Sequence, residues 1–502
     1  MNNGRTDASA AEPVEDLDLL DKPAAGGSVI RGGVLRSTGY AVGILLGVVA
    51  APLQIRHLGG IDFGRLFTIN SLIFVVTGLT ELGIMNVAIR EYTTSATHER
   101  LNLLSTVFGL RLALTALASA IAVGFALAAG YTDVMVTGTL LGCLGLLLGV
   151  PFGIALIPLQ AELRFGWVTA IDFARQGVTT AAIVALVIGG AGLLPFFGIT
   201  VAAAVTGSVM AVMVAANKIS YRPSFNLARW WALLRDSVPY AVATALGILY
   251  FKVEILLMSL LSNESETGFF SVSFRIVEIL TGVPWLVAGT AFPILARAAG
   301  NNPERFRSAV QRMVEVSVAI GLGIAVTLVA FADIAVFVIA GDGFSVSVNA
   351  LRILGGALVG TFLFATLTFA MLALREHRTI LLANLTALVI ALVLSFALIP
   401  PFGAIGAAAA TTATELGLAG LYLVLLSRRT PHSLDPGVSI RALVAAGPAF
   451  AILLVIAPSS PLVVVSPLLY VAGLLVTGIF PHDVLRALMK SDMDAIADDE
   501  GS

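Results

Sequence analysis

The fold class predicted for this chain is an all-α polytopic membrane protein of about fourteen transmembrane helices. Three observations carry that reading. First, 58% of the 502 residues are hydrophobic and only 12% are charged, with a mean hydropathy of +0.96, whereas soluble domains are about 45–50% apolar. Second, apolar runs of about 20 residues recur along the chain, and each must satisfy its own backbone hydrogen bonds in lipid, so each reads as a helix. Third, the 29 Lys and Arg residues are sorted by side. One set of loops, together with both tails, holds nearly all of them. The opposite loops hold only Arg56, Arg65 and Arg352, while Lys252 and Arg275 fall inside spans. Cations favour the cytoplasmic face, so both termini are expected there and the number of spans is even.

Taken in order, the elements begin with an acidic, Ala- and Gly-rich segment, 1–33, carrying EPVEDLDLLDK. It lacks the basic start and short apolar core of a cleaved signal peptide and reads as a disordered cytoplasmic tail. Spans at 34–55 and 66–89 bracket PLQIRHLGGIDFGRLFTINSL, where Gly59, Gly60 and Gly64 allow a sharp turn outside the membrane. Spans at 106–129, 134–158, 168–190 and 196–216 follow. The segment 217–238 mixes Arg222, Arg229 and Arg235 with Trp230 and Trp231, as an interfacial amphipathic linker would. Spans at 239–261 and 268–292 come next. Before the span at 310–332, Asn302 is placed as an N-cap and Pro303 at the first helical position. Spans at 353–374, 379–400, 404–427, 440–457 and 462–480 complete the set, and an acidic tail, 481–502, closes the chain.

An internal repeat organises these spans. PFFGITVAAAVT at 195–206 aligns with PPFGAIGAAAAT at 400–411, pairing Gly198 with Gly403. YAV at 40–42 recurs at 240–242, and GRLFTI from Gly64 lines up with GFFSVS from Gly268. A constant offset of about 200–205 residues implies two copies of one unit. The expected domains are an N-terminal six-helix bundle, 34–216, and a C-terminal one, 239–427, with two additional helices at 428–480. An even number of spans per unit relates the bundles by a pseudo-two-fold along the membrane normal, with a binding site at their interface.

Charges within the membrane mark the candidate site, because each costs about 2.5–3.5 kcal/mol at a helix centre. Lys252 lies near the middle of its span, and Arg275 and Glu278 are one turn apart in the next. At a rise of ~1.5 Å per residue, Lys252 is ~20 Å from the inner end of its helix and Glu278 ~15 Å from the outer end of its own, so their depths match. Such cations suit an anionic headgroup, for whose phosphate oxygens Arg offers a planar fork. The alternative is that Arg275 and Glu278 neutralise each other as an i,i+3 pair. Glu254, two residues beyond Lys252, points to a different face and completes the headgroup candidates. Glu81 and Glu415 are lone intramembrane acids, suited to a coupling ion or to helix packing. Arg56 and Asp62, with His57 and Arg65, suit a gate, a headgroup contact or a solvated turn; no nucleophile accompanies them, so a catalytic set is not expected. The single cysteine, Cys143, and five scattered histidines make no metal cluster, and no phosphate-binding or dinucleotide loop is present. No metal or cofactor is therefore expected, and a net charge of -2 gives no reason for a nucleic-acid partner.

Several short motifs carry a family resemblance. Leu58-Gly59, Asp62-Phe63-Gly64, Glu81-Leu82-Gly83, Arg90-Glu91 and the PFG-x-x-G-A-A-A start of the twelfth span resemble the oligosaccharide and polysaccharide flippases of the multidrug/oligosaccharidyl-lipid/polysaccharide (MOP) exporter superfamily. The resemblance implies two six-helix bundles forming a V, and translocation of polyprenyl-diphosphate-linked oligosaccharide across the bacterial cytoplasmic membrane by alternating access, for cell-surface polysaccharide biosynthesis. It adds Arg90 to the gate or coupling candidates. The two extra C-terminal spans are similar to those of the peptidoglycan-precursor branch, where they help form a groove for the lipid tail. Implied partners are the lipid-linked substrate, membrane lipids and a glycan polymerase or glycosyltransferases. Two other functions compete: a multidrug or cation antiporter of the same superfamily, which would have an acidic cavity, and a membrane glycan polymerase or ligase, which would need a larger outward loop.

Overall fold

The structure, a computed structural model, describes residues 25–81, 83–215, 222–429, 437–455, 463 and 465–477. Among them the ordered elements are α1 (Ala25–Glu81), α2 (Ile84–Thr94), α3 (Thr97–Ala128), α4 (Asp133–Ala161), α5 (Phe165–Ile188), α6 (Leu193–Ala215), α7 (Leu227–Leu261), α8 (Glu264–Asn301), α9 (Pro303–Ala340), α10 (Ser345–Ala373), α11 (His377–Arg429), α12 (Gly437–Val455) and α13 (Val465–Val476). No strand occurs among the described residues. Nine helical stretches there are long and apolar enough to cross a membrane, and the chain is a multi-pass membrane protein.

Helix starts follow capping chemistry. Asn226, Asn263 and Asn302 each accept a bond from the backbone N–H three residues on, at 3.2, 2.9 and 2.9 Å, and Pro303 occupies the first turn of α9. Each cap satisfies a donor that the helix leaves without a partner. The expected cap at Asn302 is thus present. The amphipathic linker is not a separate element, because its helical part is the first turns of α7. Helix α1 begins at Ala25, inside the stretch expected to be a tail; the rest of that tail and all of the C-terminal one lie outside the described residues.

Two long helices break at glycines. Gly59 in α1 has φ 70° and ψ 178°, and Gly403 in α11 has φ 53° and ψ −130°, both in the region that favours glycine. Helix α11 has 53 residues, which would measure ~80 Å if straight, far beyond a hydrocarbon core of ~30 Å. It folds back at Gly403: a Cβ on Gly406 would lie 2.0 Å from the carbonyl oxygen of Leu398. The expected loop around Arg56, His57, Asp62 and Arg65 is likewise a helical kink, with all four residues on helix. Only Gly59 takes the turn conformation there. Gly60 and Gly64 serve close packing instead, since a Cβ on Gly64 would stand 2.8 Å from Gly268 Cα and one on Gly268 would stand 2.2 Å from Gly60 O. The two glycines that the internal repeat equates therefore meet each other.

Three apolar clusters place the helices. One gathers Ile55, Phe196, Met258, Phe270, Val336 and Ala404 from α1, α6, α7, α8, α9 and α11, all near the Gly59 end. A second joins α2 to α6 through Ile84, Leu104, Ile154, Ile171 and Ala211. The third joins α8 to α13 through Leu295, Val318, Met371, Leu418 and Tyr470. The helices thus share one core at the Gly59 end and divide between two cores at the other, which leaves a cavity between them.

Candidate substrate cavity

That cavity encloses about 1300 Å³. Its walls come from α1, α5, α6, α7, α8, α10 and α11. The Gly59 end is closed by polar links between distant helices. Arg56 donates from Nη2 to the carbonyls of Phe337 and Val338, both at 2.8 Å, at the C-terminal end of α9, where the helix dipole favours a cation. Arg65 forms a two-point bond to Glu264, Nε to Oε1 at 2.9 Å and Nη2 to Oε2 at 2.7 Å, and holds Asp62 at 3.0 Å. His57 Nε2 lies 2.7 Å from Ala191 O. Glu266 accepts from the N–H of Ala404 at 2.8 Å, capping the arm that follows the Gly403 break.

The four headgroup candidates separate into two sites. Glu278 takes Arg275 Nη1 on one carboxylate oxygen at 2.6 Å and Lys252 Nζ on the other. Lys252 is buried and surrounded by the rings of Phe67, Phe74, Phe251 and Phe274 at 5.0 to 5.7 Å from their centroids. Such aromatic faces stabilise a cation that has left water. Arg275 and Glu278 line the cavity, whereas Lys252 does not. Two positive charges against one negative leave this trio with a net charge of +1, expressed at the cavity wall through Arg275. Arg275 is therefore paired with Glu278 and still one-third exposed.

Glu254 is elsewhere. It is buried, Oε2 accepts from Ser395 Oγ at 2.6 Å, and Oε1 has no hydrogen-bond partner among the described residues. It lines a smaller pocket with Glu415, whose oxygens accept from Tyr250 Oη at 2.8 Å and Thr361 Oγ1 at 3.0 Å. Glu415 also reaches the main cavity. Glu81 lies 3.4 Å from Arg111 Nη2, just before the break at Gly83, and Arg90 sits on α2; neither lines the cavity.

The cavity also holds residues that sequence reasoning passed over. Asp172, Arg175 and Gln176 on α5 line it, as does Trp285 on α8. Arg175 lies inside the span expected at 168–190, 3.7 Å from Asp172 and with its guanidinium 4.6 Å from the ring centre of Phe152. The available signal was the spacing of Thr169, Asp172, Gln176 and Thr179, which share one helical face.

With the geometry described, comparisons place the chain among known proteins. A family profile described as "Polysaccharide biosynthesis protein" matches residues 55–349, over half the chain. The curated relative "Probable low-salt glycan biosynthesis flippase Agl15" of Haloferax volcanii is 24% identical over 266 residues, which cover 51% of this chain and 54% of that protein. The chain thus spans about half the length of that relative. Among solved structures, "Lipid II flippase MurJ, inward closed conformation" superposes with a TM-score of 0.70 at 13% identity, covering 90% of this chain and 100% of that one. An inward-facing multidrug resistance MATE family transporter of the MOP superfamily gives 0.65 at 14% identity, covering 77% and 94%. These two likenesses are of fold.

Proposed function

The chain belongs to the polysaccharide biosynthesis protein family, and from that premise we propose that it is a flippase carrying polyprenyl-diphosphate-linked oligosaccharide across the bacterial cytoplasmic membrane by alternating access. The observation that carries this reading is the net positive charge of the Lys252, Arg275 and Glu278 trio, facing a cavity sealed at one end. Arg275 offers guanidinium donors to a diphosphate, while Lys252 acts through Glu278, fixing its carboxylate. The protein's contribution is binding and exposure to alternate faces; no bond is made or broken. The architecture proposed with it has two six-helix bundles related along the membrane normal, fourteen spans, and both termini in the cytoplasm. The Gly59 end then faces outward, and Arg56, Asp62 and Arg65 act as its gate. Glu415 and Glu254 are the coupling candidates in this scheme.

The multidrug or cation antiporter reading has one observation in its favour, the buried Glu254 and half-buried Glu415 bordering a common pocket. Reconstitution into proteoliposomes separates the two. Under the flippase reading, a fluorescent polyprenyl-diphosphate oligosaccharide crosses the bilayer with the wild-type chain, and Arg275→Gln lowers the rate at least about tenfold, the loss of one charge-assisted contact. Transport of a lipophilic cation with no movement of the glycolipid would overturn it.

A further inference from the structure

The cavity walls differ in chemistry. The α8 wall presents Arg275; the α5 wall presents Asp172, Arg175, Gln176 and Thr179 on one helical face over ~10 Å, with the Thr169 hydroxyl buried behind it. Helix α5 is the least apolar and least buried of the nine apolar stretches. A lipid-facing helix gains nothing from such a stripe, and because Arg175 is paired with Asp172 this wall carries no net cation for a phosphate. A hydroxyl acceptor and an amide suit a neutral, polyhydroxylated ligand, whose hydrogens a carboxylate takes strongly.

Between these walls lies a bare floor. Gly39, Gly43 and Gly47 of α1 all line the cavity, on one helical face. A Cβ on Gly39 would stand 2.7 Å from Thr169 Cγ2, and one on Gly47 would stand 3.9 Å from Arg275 Nη2. The floor thus runs from the α5 stripe to the cation over eight residues, ~12 Å, the reach of a diphosphate with its first sugars. Trp285, ten residues from Arg275 on α8 and so ~15 Å further along it, is 40% exposed into the same space and braced edge-on by Phe364 and Phe369. A braced indole offers an apolar face to the C–H side of a sugar ring.

We propose that the α5 stripe, with Trp285, is a saccharide subsite distinct from the diphosphate contact at Arg275, and that Asp172 and Gln176 select the sugar next to the diphosphate. This rests on the flippase reading. The subsite takes a neutral hexose or N-acetylhexosamine: Asp172 and Gln176 bond its hydroxyl or acetamido groups, and Trp285 covers its ring. The glycine floor lets the sugar lie flat between the two anchoring points.

The test measures binding of the purified full chain to undecaprenyl diphosphate, bare or carrying N-acetylglucosamine, glucose or galactose. Wild type is expected to prefer at least one glycosylated lipid over the bare one by about tenfold, the worth of one or two net hydrogen bonds. Gln176→Met with Trp285→Leu, which changes no charge, removes that preference and leaves bare-lipid affinity within about twofold; Arg275→Gln weakens both lipids. Gly43→Leu is an independent arm. A Cβ there meets nothing within 4 Å, so the side chain fills the floor without disturbing the fold, and glycosylated lipid is expected to lose its advantage while thermal melting is unchanged. Equal wild-type affinity for bare and all glycosylated lipids overturns the subsite and leaves the diphosphate cavity standing. A double variant that weakens bare lipid as much as glycosylated lipid also overturns it. Failure of the wild-type chain to bind any of these lipids defeats the flippase reading itself, and the subsite with it.

Discussion

Glu278 answers two cations with its two carboxylate oxygens, and its side chain is 17% exposed, so the trio is a buried network with one shared anion. Removing a shared partner is worse than removing a peripheral one. Glu278→Gln leaves Lys252 charged among phenylalanine rings with no counter-ion, a defect expected to cost about 3–5 kcal/mol. Lys252→Met in that background removes the stranded charge and is expected to restore most of the loss. Thermal unfolding in detergent of the two variants and wild type checks this; a double variant no more stable than Glu278→Gln alone would show that Lys252 does not depend on Glu278. The i,i+3 spacing of Arg275 and Glu278 made their pairing legible in the sequence. The third member was not, because Lys252 is 26 residues away and its partner is set by how α7 packs on α8.

At the scale of elements, the Gly59 end depends on backbones that approach without side chains between them. Gly60, Gly64 and Gly268 meet at distances no Cβ tolerates, and the blocking atoms are backbone atoms that cannot rotate away. Gly268→Ala is therefore expected to destabilise the chain by about 1–3 kcal/mol, the usual cost of overpacking. Gly43→Ala, where the added methyl meets open space, is the matched control and should be neutral or slightly stabilising. Melting curves decide it, and equal midpoints for the two variants would remove the close-approach argument. Glycine's two uses look alike in a sequence: Gly59 supplies a positive φ, while Gly64 supplies contact with Gly268. Only the second depends on a residue about 200 positions away, which the repeat had flagged without indicating that the paired glycines would touch.

For the molecule as a whole, the proposed orientation is tested by labelling. In a Cys143→Ser background, Asn263→Cys, at the junction of α7 and α8, is expected to react with an impermeant thiol reagent from outside intact cells, and Asn301→Cys, at the far end of α8, to stay protected. Labelling of position 301 from outside would invert the topology, since it would place the Arg-rich loops on the wrong face. In the proposed orientation the cavity closes outward through Arg56, Arg65 and Glu264, and the division of the helices between two cores lies toward the cytoplasm.

Taken alone, the sequence determined that this protein is helical and embedded in membrane, and where α9 starts. Those properties arise from interactions along the chain: peptide groups in lipid must bond within their own helix, and Asn302 with Pro303 caps α9 from adjacent positions. Tertiary structure alone decided which face each charge presents. It enclosed Lys252 and left Arg275 at the cavity, brought Arg175 and Asp172 of α5 to the cavity wall, moved Glu254 to a separate pocket, and made a charged loop into a clamp between α1 and α8. The physical reason is that a helix fixes only the relative angles of its own side chains; the direction in which a stripe points is set by helices hundreds of residues away, whose packing no local pattern encodes.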